Sequence, residues 1–589
     1  MAVLKLLSPL LATALLLGGC AANKPIKSGD SGTGEPTSAA VSGDSATPEP
    51  KIGSFEPDTL YSLLVAELAG RRGRYDILLR GYLHQAEKTR DPGIAERATR
   101  IAIFLKSDRA ALSAANIWAQ SAPHDVKATQ ILATQLSKAK QFEPAVALLE
   151  QILTQEGGAN FEYLAANTRE LTQSERNEIL DHFTRLIERY PDNIHLLVGK
   201  TILLQISGRL DEALKTANIL YKKEPNSRHQ SLQARLLHQL GETDQALKLL
   251  KKSLNQQPSD KQTRLLYAQL LIDSKALNEA YEQFAILVDQ NPHDNKLRFT
   301  LALIALENKQ VDEAKFNLTL LLGDDQLAED AHYYLAQVAE AENDPSQAVE
   351  HYRQVTFGDK AISAHSQLGK LLLGANLTAE LSEIFQGTRA QNPEKAITFY
   401  LLEADLLTKY DYVTNALDLM TRALTEFPNN VSLLYARAMT AEKINDLAAM
   451  ERDLRKILSI EPDNANVLNA LGYTLADRTD RYHEALELIS RANELKPNDP
   501  AITDSLGWAF FRLGNYEESI KLLEKALAEF PDHEVAAHLG EVLWITGQQE
   551  RARQVWKEAL ERTPDSMILK RVLERLDPEH LSPTNGQLQ

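Results

Sequence analysis

Residues 500–531 read PAITDSLGWAFFRLGNYEESIKLLEKALAEFP. Leu506-Gly507-Trp508 falls in the first of two helical stretches. Ala526 falls in the second, five residues before Pro531. Small residues stand where two antiparallel helices cross closely, because a larger side chain would hold them apart. Proline cannot continue a helix, so the chain turns at Pro531 into whatever follows.

The same pattern recurs on both sides. Downstream stand Leu539-Gly540, Ala552, Ala559 and Pro564. Upstream stand Ala404, Ala416, Ala423 and Pro428, then Ala268 with Ala280, and Ala234 with Ala246. The prolines set a period. Pro191, Pro225, Pro258 and Pro292 are spaced 34, 33 and 34 residues apart. Pro393, Pro428, Pro462, Pro497, Pro531 and Pro564 are spaced 35, 34, 35, 34 and 33. The gap from Pro292 to Pro393 is three periods, and that from Pro123 to Pro191 is two. Gly157, Asp325 and Gly358, which break or turn a chain, hold the missing positions.

This period and its small-residue pattern resemble the tetratricopeptide repeat, a helical hairpin of about 34 residues. The resemblance implies an all-α solenoid of about fifteen hairpins. It is strongest from Asn193 to Arg575. The unit from Phe161 to Pro191 lacks the small residues, so its geometry is expected to differ. Counting back from Pro123 adds hairpins beginning near Pro57 and Pro92. The divisions expected are a leader over 1–19, a tether over 20–54 and N-terminal hairpins over 55–123. The solenoid proper follows over 124–564, then a capping helix over 565–576 and a disordered tail over 577–589. Each solenoid unit contacts only its neighbours, so a chain this long needs no division into globular domains.

The N-terminus carries targeting information. Lys5 precedes a short apolar run from Leu6 to Leu17, too short to span a bilayer as a mature helix. Leu17-Gly18-Gly19-Cys20 resembles the bacterial lipobox, which implies cleavage before Cys20 and acylation of that residue. Several acyl chains, at about 0.8 kcal/mol per buried CH₂, would hold the protein on a membrane. Ala21 follows the cysteine where an Asp would signal inner-membrane retention, so the resemblance points to the periplasmic face of the outer membrane. Cys20 is the only cysteine, so no disulfide forms within the chain. Residues 21–54 are polar and rich in Gly, Ser, Thr and Pro. They read as a flexible tether with a span on the order of 30 Å.

Charge and composition exclude several classes. Aromatic residues make up 6% of the chain, and Leu, Ala, Glu, Gln, Lys and Arg abound, a helical composition. The net charge of −17 opposes a nucleic-acid surface and electrostatic docking on anionic lipid. No enzyme motif stands out, and no cofactor or metal is expected. His533-Glu-Val-Ala-Ala-His538 has its histidines five apart rather than four. That turns the second ring about 140° away from the first, so both read as ordinary helix-surface residues.

Two binding features remain. Tyr473 and Trp508 occupy the same repeat position, just after Gly472 and Gly507. Phe511 and Trp544 follow one turn later in their helices. By the geometry of the repeat these four face the concave groove, where aromatic side chains favour peptide binding. The alternative is that the rings pack between neighbouring hairpins. The other feature is the first helix, Asp58 to Gly70. Leu60, Leu64 and Leu68 make a stripe that Tyr61, Leu63 and Val65 widen to about two-thirds of the circumference. A terminal repeat ordinarily has a polar outer face. Either a partner covers this one, or it packs back onto the solenoid. Arg71, Arg72 and Arg74 after it read as a solvated turn.

The lipobox, the tether and the repeats coincide with the segment Phe55-Glu-Pro-Asp-Thr-Leu-Tyr-Ser-Leu-Leu-Val-Ala-Glu-Leu-Ala-Gly70. Together they resemble the pseudomonad outer-membrane lipoproteins that partner a periplasmic carboxyl-terminal processing protease. The resemblance implies an adaptor. It would bind the protease and its peptidoglycan cross-link hydrolase substrates, promote their proteolysis and so restrain cell-wall cleavage. Leu60, Tyr61, Leu64, Val65 and Leu68 are the candidate partner-binding residues. Other readings are an assembly factor for an outer-membrane complex, such as a secretin pilot or a barrel-assembly component, and a regulator of peptidoglycan synthesis.

Overall fold

The structure, a computed structural model, describes residues 56–154 and 159–578. The leader, Cys20, the tether, Phe55, Gly157 and most of the expected tail lie outside the described residues. Among those described there are 31 α-helices and no strand, and no helix is long and apolar enough to cross a membrane. The helices fall into fifteen successive pairs followed by a last helix, Met567–Leu576. The fold is a tetratricopeptide-type solenoid.

Local chemistry explains the period. One or two residues after most of these prolines stands an Asn or Asp whose side chain caps the next helix. Asn193 accepts from the Leu196 amide at 3.0 Å, Asn430 from Leu433 at 3.0 Å, and Asp499 from Ala501 at 3.0 Å. Each such cap contributes about 1 kcal/mol. Proline thus ends one hairpin, and Asn or Asp starts the next.

The turn inside thirteen of the fifteen pairs carries a second marker. One residue there takes the left-handed conformation: Gly73, Lys106, Lys140, Gly208, Gly241, Lys275, Lys309, Asn343, Asn376, Asp411, Asn445, Gly514 and Gly547. Seven residues before each stands a small buried side chain, from Ala66 through Thr99, Ala133 and Ala234 to Gly507 and Gly540. This backbone signal carries the repeat back to residue 73, where proline spacing gives little guidance.

The marker is absent from two pairs: the thirteenth, where Thr479 keeps an extended backbone, and the fourth, the unit expected to be irregular. Its first helix, Phe161–Ala166, has six residues, and its second, Gln173–Arg189, has seventeen. A capping box between Thr172 and Glu175 opens the longer one. Phe161 and Phe183 meet edge to face at 5.3 Å and fill the space that small residues leave elsewhere. The close approach moves to the next helix. A Cβ on Gly199 would come within 2.8 Å of Phe161 and 2.9 Å of Phe183.

Contacts divide the chain into two compact units, one ending at Asn317 and one beginning at Leu318. In the first unit, the opening helices α1 (Pro57–Arg71) and α2 (Tyr75–Thr89) cross where Ala66 meets Gly81. A Cβ there would stand 2.8 Å from that of Ala66. In the second unit, a continuous core runs from Ala336 to Ala509, and a further cluster from Leu523 to Leu573 includes Trp556. Asp325 lies in the turn before the helix Ala328–Ala341, and Gly358 has φ +70°.

Candidate functional site

Three first helices of the second unit build one wall: α25 (Ala465–Arg478), α27 (Pro500–Arg512) and α29 (His533–Ile545). Gly507 lets α27 lie against its partner, because a Cβ there would stand 2.8 Å from Leu523. The same constraint is tighter at Gly540, where a Cβ would overlap the Trp556 ring.

The wall gathers a polar aromatic cluster. Nδ1 of His538 lies 3.0 and 3.1 Å from the two carboxylate oxygens of Asp504. Nε2 lies 3.3 Å from the Tyr473 hydroxyl, which donates to Glu534 Oε1 at 3.0 Å. Trp508 stacks on the imidazole with ring centroids 4.2 Å apart, and Phe511 leans on Trp508 at 4.9 Å. Burial opposes a charge on His538, yet Asp504, then Glu534 and Asp477, hold its pKa above the ordinary imidazole value. Burial also raises the Tyr473 phenol, with Glu534 adding to it. That hydroxyl therefore stays protonated and is no activated nucleophile. The relay from Asp504 to Tyr473 serves packing and hydrogen bonding.

The four groove aromatics do not share one environment. Tyr473, Trp508 and Phe511 join the cluster, and Trp508 is only 5% exposed, wedged between helices. Trp544 stands apart, tilted against Trp556 at 5.7 Å with the Arg553 guanidinium over its ring. One sequence expectation is corrected. His538 is not a helix-surface residue but is buried against Asp504, 34 residues earlier. Its signal was a potential ion pair placed on core-facing positions of adjacent repeats, which a search for metal spacing does not detect. His533 is partly buried and meets the Ser566 hydroxyl at 3.1 Å. Among the described residues, no three His, Cys, Asp or Glu side chains converge on a metal site.

The other face lies at the opposite end of the sequence. Leu60, Tyr61, Leu64, Val65 and Leu68 on α1 are 40–71% exposed, while Thr59 and Ala66 on the same helix are buried. The described residues leave this stripe open; it does not fold back onto the hairpins. Sequence reasoning missed three further exposed apolar side chains of the first two hairpins, Tyr75, Ile103 and Phe104, with Tyr75 and Phe104 in ring contact at 6.0 Å. The run Ile103-Phe104 at a helix end was the available cue. Arg74 forms a two-point contact with Asp76 at 3.0 Å.

Comparison with known proteins agrees with this architecture. Tetratricopeptide repeat profiles match residues 202–261 and 505–566, and a second such profile matches residues 237–304. A TPR repeat-containing protein of Pseudomonas aeruginosa is 46% identical over 536 residues, covering 90% of each chain. The protein O-mannosyl-transferase TMTC1 of Mus musculus is 30% identical over 158 residues, 26% of this chain and 16% of that one. Among solved structures, a thermophilic TPR protein of Thermus thermophilus matches 30% of this chain and 97% of its own, at 23% identity and a TM-score of 0.27. The Cut9–Hcn1 hetero-tetramer chain matches 88% and 97%, at 14% identity and a TM-score of 0.31.

Proposed function

Because this chain belongs to the tetratricopeptide repeat-containing proteins, we propose that it is a non-catalytic scaffold anchored to the outer membrane through Cys20 and facing the periplasm. In this reading α1 holds a carboxyl-terminal processing protease, and the repeats present peptidoglycan cross-link hydrolases to it. Proteolysis of those hydrolases then restrains cell-wall cleavage. The observation that carries the reading is the open apolar stripe from Leu60 to Leu68 at the start of a repeat array. Large apolar patches on a soluble surface mark protein interaction sites. Co-residence on one scaffold makes the encounter of protease and substrate effectively intramolecular, at millimolar-scale concentration for short flexible links.

The test combines retention with turnover. The purified full-length chain is first mixed with periplasmic and outer-membrane extract to identify what it retains; it is then mixed with the purified protease and a hydrolase, and hydrolase degradation is followed with and without the scaffold. Faster degradation that disappears when residues 55–70 are deleted supports the adaptor. Retention of a secretin, barrel-assembly or peptidoglycan-synthase component, with no effect on degradation, overturns it in favour of an assembly or synthesis role.

A further inference from the structure

The second unit holds a cavity on a side of the repeats away from the aromatic wall. It opens between α20 (Thr378–Gln391) and α22 (Val413–Glu426), the second helices of successive hairpins, over α21 (Ala396–Lys409). Tyr400 on α21 lines it. The position that holds Tyr473 and Trp508 in their repeats is Asp405 in α21, just after the small Ala404. Five residues turn a helix by about 140°, so Tyr400 leaves α21 well round from the groove. The cavity measures about 450 Å³, within the roughly 300–1,000 Å³ typical of small-molecule sites.

A buried guanidinium forms one wall. The Arg389 side chain is only 9% exposed and lies 4.1 Å from the centre of the Tyr400 ring. Glu403 accepts from its Nη1 with one oxygen and from the Ser382 hydroxyl with the other. That carboxylate takes one edge of the arginine fork, so the Nε and Nη2 donors remain for whatever enters the cavity. Arg422 and Glu426 stand exposed at the mouth, four residues apart on α22. Glu426 accepts the Tyr400 hydroxyl at 3.1 Å. The two opposite charges offset each other in water, and inside the mouth the donors of Arg389 are the charged groups still to be answered. The rest of the lining is largely apolar, with Ala396, Leu419 and Phe427 among it.

We propose that this cavity binds a small organic carboxylate, with its two oxygens on the free edge of Arg389 and its apolar body against Ala396, Leu419 and Phe427. A guanidinium fork and a carboxylate meet through two parallel hydrogen bonds, a pairing stronger and more specific than a single neutral one. The bound ligand touches both α20 and α22 and so ties two successive hairpins together. The site makes no use of the partner assigned to α1.

The test titrates sodium benzoate into the full-length chain in detergent, by isothermal calorimetry at low salt, with detergent alone as the blank. Benzyl alcohol keeps the ring without the charge, and acetate keeps the charge without the ring. Benzoate is expected to saturate a single site with a Kd of about 1 mM, as suits so small a ligand. Each comparison probe should bind at least about tenfold more weakly, since it offers only half of the contacts. Arg389→Lys keeps a charge for Glu403 but has no second edge, so benzoate affinity should fall about tenfold. Arg389→Met with Glu403→Leu removes the donors and the carboxylate together, and benzoate binding should be lost. Either comparison probe binding as tightly as benzoate overturns the proposal. So does benzoate affinity unchanged in either variant, where that variant melts cooperatively, or a wild-type titration no different from the detergent blank.

Discussion

Asp504 and His538 stand 34 residues apart in the chain, and their side chains meet inside the wall with both carboxylate oxygens about 3 Å from one ring nitrogen. The pair replaces the usual apolar contact between neighbouring first helices, and it titrates. The folded pKa of His538 lies above the ordinary value of 6.5. Its stabilisation is therefore fully present below about pH 6.5 and is lost as pH rises through the folded pKa. Urea unfolding of the full chain at pH 6 and pH 9 should show a larger fall in stability for the wild type than for Asp504→Asn. The substitution itself should cost roughly 1.5–3 kcal/mol at pH 6. A pH dependence unchanged by Asp504→Asn would show that other groups dominate.

Gly540→Ala should be among the most damaging single-methyl additions in the chain. The new Cβ overlaps the Trp556 ring, which is buried and has little room to shift. Overpacking of this kind costs about 1–3 kcal/mol. Gly374→Ala, where nothing stands within 4 Å, is the matched control. Comparable loss of thermal stability in both variants would contradict the steric account.

Replacing Leu60, Leu64 and Leu68 together by Ser should leave folding nearly untouched, because all three side chains face solvent. Exposed substitutions ordinarily move stability by about 0.5 kcal/mol or less each. The same variant should lose retention of the protease. A melting temperature far below that of the wild type would mean the stripe is structural.

Arg389 and Glu403 form an ion pair whose side chains are 9% and 0% exposed, with Ser382 donating to the same carboxylate. Burial drives the Glu403 pKa up, and Arg389 pulls it part of the way back. Arg389→Met strands that carboxylate and should cost about 3–5 kcal/mol, whereas Arg389→Met with Glu403→Leu should recover much of it. A double variant no better than the single one, measured by urea unfolding, would refute the pairing argument.

Much of the fold was legible because proline and small residues are constraints on backbone and on helix approach, and both show directly in residue type. The number of hairpins, the capping helix and the irregular unit near Phe161 follow from them. The left-handed turn escaped notice because Gly, Lys, Asn and Asp all fill it, so no single residue type marks Lys106, Lys275 or Asn343. The exposed stripe on α1 was readable as a broad apolar arc. The His538 cluster was not, because it depends on which residues three-dimensional stacking brings together across one or two repeats.

The hydrogen bonds of Tyr473 to Glu534 and His538 reach over an intervening hairpin. In a linear array, stability is ordinarily the sum of each repeat and its immediate interface, so opening propagates inward from the ends one hairpin at a time. A link between first helices two repeats apart adds a next-nearest-neighbour coupling. Amide exchange across 465–545 should therefore proceed through one cooperative opening rather than a graded series, giving the array a foldon larger than its repeating unit.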